Sequence, residues 1–137
     1  MSFRKVAGAT VNKDLPVTPS TALAARSLVT FVGGKLVAAT AATTAPNLAG
    51  ILIGAITAQD ADYADERLVA VEVPVEKNVT YEFDVTSGLV AADIGVDVDL
   101  TDASTVNRAA SAIGVVRTTK VLSTTLGQGI VKINGAY

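Results

Sequence analysis

Between residues 68 and 86 apolar and polar side chains alternate almost one by one, and no other feature restricts the fold so strongly. Val69, Val71, Val73 and Val75 share one parity, and Ala70, Glu72, Pro74 and Glu76 the other. After Lys77 and Asn78, Val79, Tyr81, Phe83 and Val85 alternate with Thr80, Glu82, Asp84 and Thr86. A period of two is the mark of strands with one packed and one solvated face. Two such runs in succession predict a β-hairpin. Pro74 has no N–H to give a ladder, so its strand is expected at an edge or at a bulge.

Other strands follow from composition and turn residues. Hydrophobic residues make up 50% of the chain but aromatic residues only 4%. The apolar mass is therefore largely Val, Ala, Ile and Leu, and the branched residues favour pleated sheet. Residues 27–32 and 35–39 flank Gly33-Gly34, a pair suited to a tight primed turn because positive φ costs glycine little. Residues 50–56 form a continuous apolar run expected to be buried on both faces. Residues 113–122 and 129–134 supply two further strands, turning at 124–127. An internal echo links residues 34–37 and 53–56 with residues 95–98 and 113–116, an offset near sixty. It suggests two similar β units closing one barrel or sandwich. With 137 residues the chain has a one-domain length. The expected fold is all-β: a small single-domain β-barrel or sandwich at 27–137, preceded by an extended N-terminal arm at 1–26.

The chemistry available is narrow. The sequence contains no His, Cys or Trp. It therefore lacks the usual general base, a thiolate nucleophile and thiolate metal ligands. The densest acidic stretch holds Asp93, Asp97, Asp99 and Asp102. Asp97 and Asp99 share a strand face, and hard carboxylate oxygens can collect Ca²⁺. The calcium-loop pattern is incomplete, however, and no Glu follows Glu82. A solvated strand face ended by an Asp-initiated turn accounts for these residues more economically. Neither an enzyme nor a cofactor or metal is expected.

Charge is segmented. Residues 1–35 carry five bases and one acid, residues 60–102 twelve acids and two bases, and residues 103–137 four bases. The sectors are thus +4, −10 and +4, suited to pairing with one another or to meeting opposite charges on another copy or a scaffold. No aromatic-interleaved basic patch speaks for nucleic acid. The N-terminus has no apolar run of a signal peptide. The uncharged stretch 36–59 is interrupted by Pro46, Asn47 and glycines, leaving too short an apolar run for a membrane helix.

The order of residues 34–39, 53–56 and 69–73, then 95–102, 113–116 and 129–133, resembles the β-rich decoration (cement) proteins of tailed-bacteriophage heads. The likeness covers roughly residues 28–135 and rests on strand pattern. It implies a small β-barrel or β-tulip fold and a virion protein made in the host cytoplasm and placed on the capsid surface. The partners it implies are the major capsid protein and further copies of the chain, as a trimer or other small cluster at a symmetry axis. Neighbouring capsid subunits would be clamped together. In that setting residues 1–26, with Pro16 and Pro19 and only Asp14 for an acid, read as an arm that orders on a neighbour. Phe3, Val6, Val11, Leu15 and Val17 would gain burial there, and Arg4, Lys5 and Lys13 would meet acidic groups. Removing residues 2–18 should then spare the β core. Two other classes fit the composition: a ring-forming tail-tube or head–tail joining protein, and a ligand- or metal-binding β module using the Asp93–Asp102 cluster.

Overall fold

Branched residues carry the chain into eleven strands within residues 3–133, which the computed structural model describes. In order they are β1 Arg4–Ala7, β2 Thr10–Pro16, β3 Leu28–Val32, β4 Lys35–Ala38, β5 Leu48–Leu52, β6 Leu68–Pro74, β7 Thr80–Val85, β8 Asp97–Asp102, β9 Thr105–Asn107, β10 Val116–Ser123 and β11 Leu126–Val131. Single 3-10 turns at Ala45–Asn47 and Ala91–Asp93 are the helical elements among the described residues, and no helix there is long and apolar enough to cross a membrane. The fold is all-β, small and barrel-like, as the alternation implies.

The strands form two sheets of related build. One runs β2-β6-β5-β3-β4, and Val17, just beyond β2, bridges in parallel to Leu36 of β4. The other runs β1-β7-β11-β10-β8-β9, and β7 pairs in parallel with β9, so β7 to β11 close into a ring with β1 outside it. In each unit the first strand meets the third. The same hydrogen bonds make the junction: Thr18 N–H to the Leu36 carbonyl at 3.1 Å, and Thr86 N–H to the Val106 carbonyl at 3.0 Å. The internal echo thus corresponds to a repeated topology, with a different register from the one expected. The Val32–Lys35 turn of β3–β4 matches the Asp102–Thr105 turn of β8–β9, an offset of seventy (102 − 32). Each unit closes on itself rather than sharing one barrel, although their apolar residues merge in a single core.

Two expectations need correction. First, β6 and β7 are successive strands but not a hairpin; they lie in different sheets, and residues 75–79 carry the chain between them. Alternation fixes which face is buried, not which strand is the neighbour. Nor is β6 an edge: it lies between β2 and β5. Pro74 is tolerated because it ends the strand, two residues past the last β5 pairing at Glu72.

Second, residues 1–26 are not an extended arm, as far as they are described. From Arg4 to Pro16 the chain runs antiparallel along residues 82 to 68, first as β1 on β7 and then as β2 on β6. Phe3 is fully buried with its ring centroid 6.2 Å from that of Phe83, and Val17 is buried as well. The pairing supplies the backbone hydrogen bonds and the burial that offset chain entropy, which the expected arm would have found only on a neighbour.

Glycine places the ring of the second unit. Gly127 and Gly129 stand at inward positions of β11. A Cβ at Gly129 would come 2.0 Å from the Arg117 carbonyl oxygen, and one at Gly127 would come 2.8 Å from Leu89. In the β3–β4 turn, Gly33 and Gly34 have φ of 60° and 80°, the primed geometry foreseen for that pair.

Phe3→Ala is expected to cost about 3–5 kcal/mol in urea denaturation, the usual loss for emptying a buried aromatic site. Removal of residues 2–18 should unfold the chain rather than spare its core. Gly129→Ala should lose about 1–3 kcal/mol or more by overpacking, whereas Gly54→Ala, with nothing within 4 Å, should be near neutral.

Candidate interaction surface

The eight N-terminal candidate residues divide between core and surface. Phe3 and Val17 are buried, and Leu15 is half-buried against the core. Arg4 pairs with Glu82 of β7, and the Lys5 ammonium donates to the Thr10 hydroxyl at 3.2 Å. Val6, Val11 and Lys13 are exposed. The structure therefore brings Arg4, Lys5 and Val6 onto β1, and Val11 and Lys13 onto β2, while Phe3 and Val17 serve packing.

The acidic stretch is spent internally. Asp93 accepts both Arg108 nitrogens at 3.1 Å and the Val90 N–H at 2.9 Å. Asp97 accepts Arg117 Nε at 2.7 Å and Lys132 Nζ at 2.6 Å. Asp99, buried, accepts the amides of Ile113 at 2.9 Å and Gly114 at 2.6 Å. Asp102 takes the Ser104 N–H at 2.8 Å, the turn expected there. The face is thus not simply solvated: three of the four carboxylates tie loops and strands together. Among the described residues no group of three or more possible ligands is placed to hold a metal ion. The Arg108 guanidinium and then the Val90 amide hold Asp93 below the ordinary carboxylate pKa. Arg117, followed by Lys132, does the same for Asp97 against opposing desolvation.

The charge sectors pair with one another. Arg4 and Arg26 from the first basic sector reach Glu82 and Glu72, and Lys35 reaches Glu66. Arg108, Arg117 and Lys132 from the last sector reach Asp93 and Asp97. Within the acidic sector Arg67 holds Asp60 and Asp62. The Thr57 amide, then Arg67, lowers the pKa of Asp60, and Arg67 chiefly lowers that of Asp62. Where the units meet, Arg26 donates to the Phe3 carbonyl at 2.9 Å and to Glu72 at 3.3 Å. The Tyr81 hydroxyl is buried there without a hydrogen bond of normal geometry, and desolvation, followed by the Glu72 charge, raises its pKa.

Two exposed features remain that the sequence reading missed. Val90, Ile94, Val96 and Ile113 are exposed on the segments flanking the Asp93–Asp99 carboxylates. The other feature is β2 itself, exposed from Val11 to Asp14 and paired on one side only. Val11, Leu15 and Val17 do alternate with Asn12, Asp14 and Pro16, a strand signal that Lys13 interrupts. No protein-family model matches this chain, and no curated protein matches it.

Lowered carboxylate pKa values set the sign of the acid response. Asp93 and Asp97 bind fewer protons folded than unfolded, so their stabilisation is present above the unfolded value of about 3.9. It is lost as pH falls through the folded values. Urea midpoints should therefore be level above about pH 5 and drop below about pH 4, and Asp97→Asn should flatten part of that drop. EDTA should leave the Tm unchanged; a marked fall would restore the metal-binding alternative.

Proposed function

We propose that this chain is a non-catalytic structural protein of a phage virion, binding the outer surface of a capsid and stabilising it by holding neighbouring subunits together. One observation carries the reading: the ionic side chains are largely committed to internal pairs, while a strand edge and a valine-isoleucine patch stay open to solvent. Such a surface offers main-chain pairing and apolar area rather than reactive groups. The strand order described from the sequence supports the capsid as partner. Attachment then works through many modest contacts multiplied by the symmetry of the shell, which raises affinity by about 10²–10⁴ where geometry permits. The fold also alters the clamp: it is the surface of the folded units, the open edge of β2 included, and not a detached arm at residues 1–26.

Cosedimentation with phage heads lacking their own decoration tests this. The expected result is saturable binding to assembled shells, little binding to unassembled capsid protein, and a higher temperature of shell disruption. Equal binding to unassembled subunits, or none to shells, would count against the proposal. Stacked rings or tubes of the purified chain would favour the tail-tube alternative.

A further inference from the structure

The two units correspond strand by strand, but one strand of the first unit lacks a neighbour that its counterpart in the second has. Val17 N–H donates to the Arg67 carbonyl at 2.9 Å, and Val85 N–H to the Thr125 carbonyl at 2.9 Å. The next residues, Thr18 and Thr86, make the closing bonds to β4 and β9. These pairs set an offset of 68 between β2 and β7 (85 − 17 and 86 − 18). Asn12 therefore corresponds to Thr80, Lys13 to Tyr81 and Asp14 to Glu82. On β7 these positions are covered by β1, with Ala7 opposite Thr80, Lys5 opposite Tyr81 and Arg4 opposite and ion-paired to Glu82. On β2 no described strand covers them.

The uncovered edge is competent to pair. The Ala9 carbonyl accepts from Val75 and the Val17 amide donates to Arg67, and the register between them is unbroken. In an antiparallel ladder residues alternate in facing the partner, so the odd-numbered residues face β6. Thr10, Asn12 and Asp14 then turn their N–H and C=O groups away from it. Both strands carry an acid at the matching position, Glu82 and Asp14, but only Glu82 has its arginine.

We propose that the outer edge of β2 is a docking site for an extended strand of a partner protein, with a basic residue opposite Asp14 followed by an acidic one opposite Lys13. Direct cross-strand pairs of opposite charge are favourable and like pairs are not. A copy of β1 would set Lys5 against Lys13, and two β2 strands paired with Asn12 opposite Asp14 would set Lys13 against itself. An Arg-Glu sequence meets both charges. The site does not depend on the capsid reading: peptide binding and particle binding are read separately, so either can fail alone.

The test uses the full chain, isotopically labelled, with two capped peptides. One is Ser-Phe-Arg-Glu-Val-Ala-Gly, patterned on the strand that covers β7; in the other the Arg and Glu are exchanged. The first should shift the Thr10, Asn12 and Asp14 amides and slow their hydrogen exchange, and bind about three- to tenfold tighter than the second. The exposed double variant Lys13→Glu/Asp14→Lys should reverse that preference. No change at residues 10–14 up to millimolar peptide, equal binding of both peptides, or shifts confined to residues 80–82 would overturn the proposal. So would protection of the same amides by concentrating the chain without peptide, which would assign the edge to a second copy.

Discussion

A row of five short strands leaves two raw edges, and in each half of this molecule one pair of main-chain groups decides how far they close. The Thr18–Leu36 and Thr86–Val106 hydrogen bonds join a first strand to a third in parallel. Without that junction the inward side chains would face water along an open seam, and the edge would be a template for other strands. With it, Leu36, Val71 and Val17 are sealed in one unit, and Val106, Phe83 and Val116 in the other. The tight approach of β10 and β11 at Gly129 and the crowding at Gly127 belong to the narrow ring that results. The junction uses backbone atoms alone, which is why two halves of little sequence likeness share it.

Charge does different work from the one its segmentation suggested. A run of acids between two basic flanks is also the pattern of an attraction between copies. Here the flanks fold back on the acidic middle, at Glu72, Glu82, Asp93 and Asp97. Several of these pairs sit beside the backbone they position. Arg26 links Glu72 to the Phe3 carbonyl, and the Asp93–Arg108 pair spans the segments before β8 and after β9. These pairs are partly buried, so the cost of desolvation offsets much of their attraction. Their value lies in registering loops whose apolar side chains are largely exposed, as Val90, Ile94, Val96 and Ile113 are, rather than packed in the core.

Much of the strand content was legible because β-branched residues and period-two alternation report burial directly. The β3–β4 turn was legible from Gly33-Gly34, and the β10–β11 hairpin from the break near residue 124. Partnership was not. Residues 68–85 read as a hairpin because local alternation contains no information on which sheet a strand joins. The N-terminal strands were hidden for another reason: Lys13 interrupts an apolar face, and the burial of Phe3 depends on Phe83, eighty residues away. The carboxylates were found as a cluster, but their partners Arg108, Arg117 and Lys132 lie beyond any local window. The open edge of β2 became visible only by comparison with β7.

The two edges of β7 are separated in the time of synthesis. Its partner β1 is made long before it and can pair as soon as Glu82 is available, whereas β11 begins only at Leu126. At a synthesis rate of about 5–20 residues per second, the 44 residues between them (126 − 82) take roughly 2–9 s. During that interval β1 is a neighbour already made for one edge of a strand whose inner face carries Tyr81 and Phe83, and the partner of the other edge is still missing. Pairing across such distances is slow in any case. A strand that contributes four residues to the finished sheet is thus a neighbour on hand for β7 while the second ring is still being made.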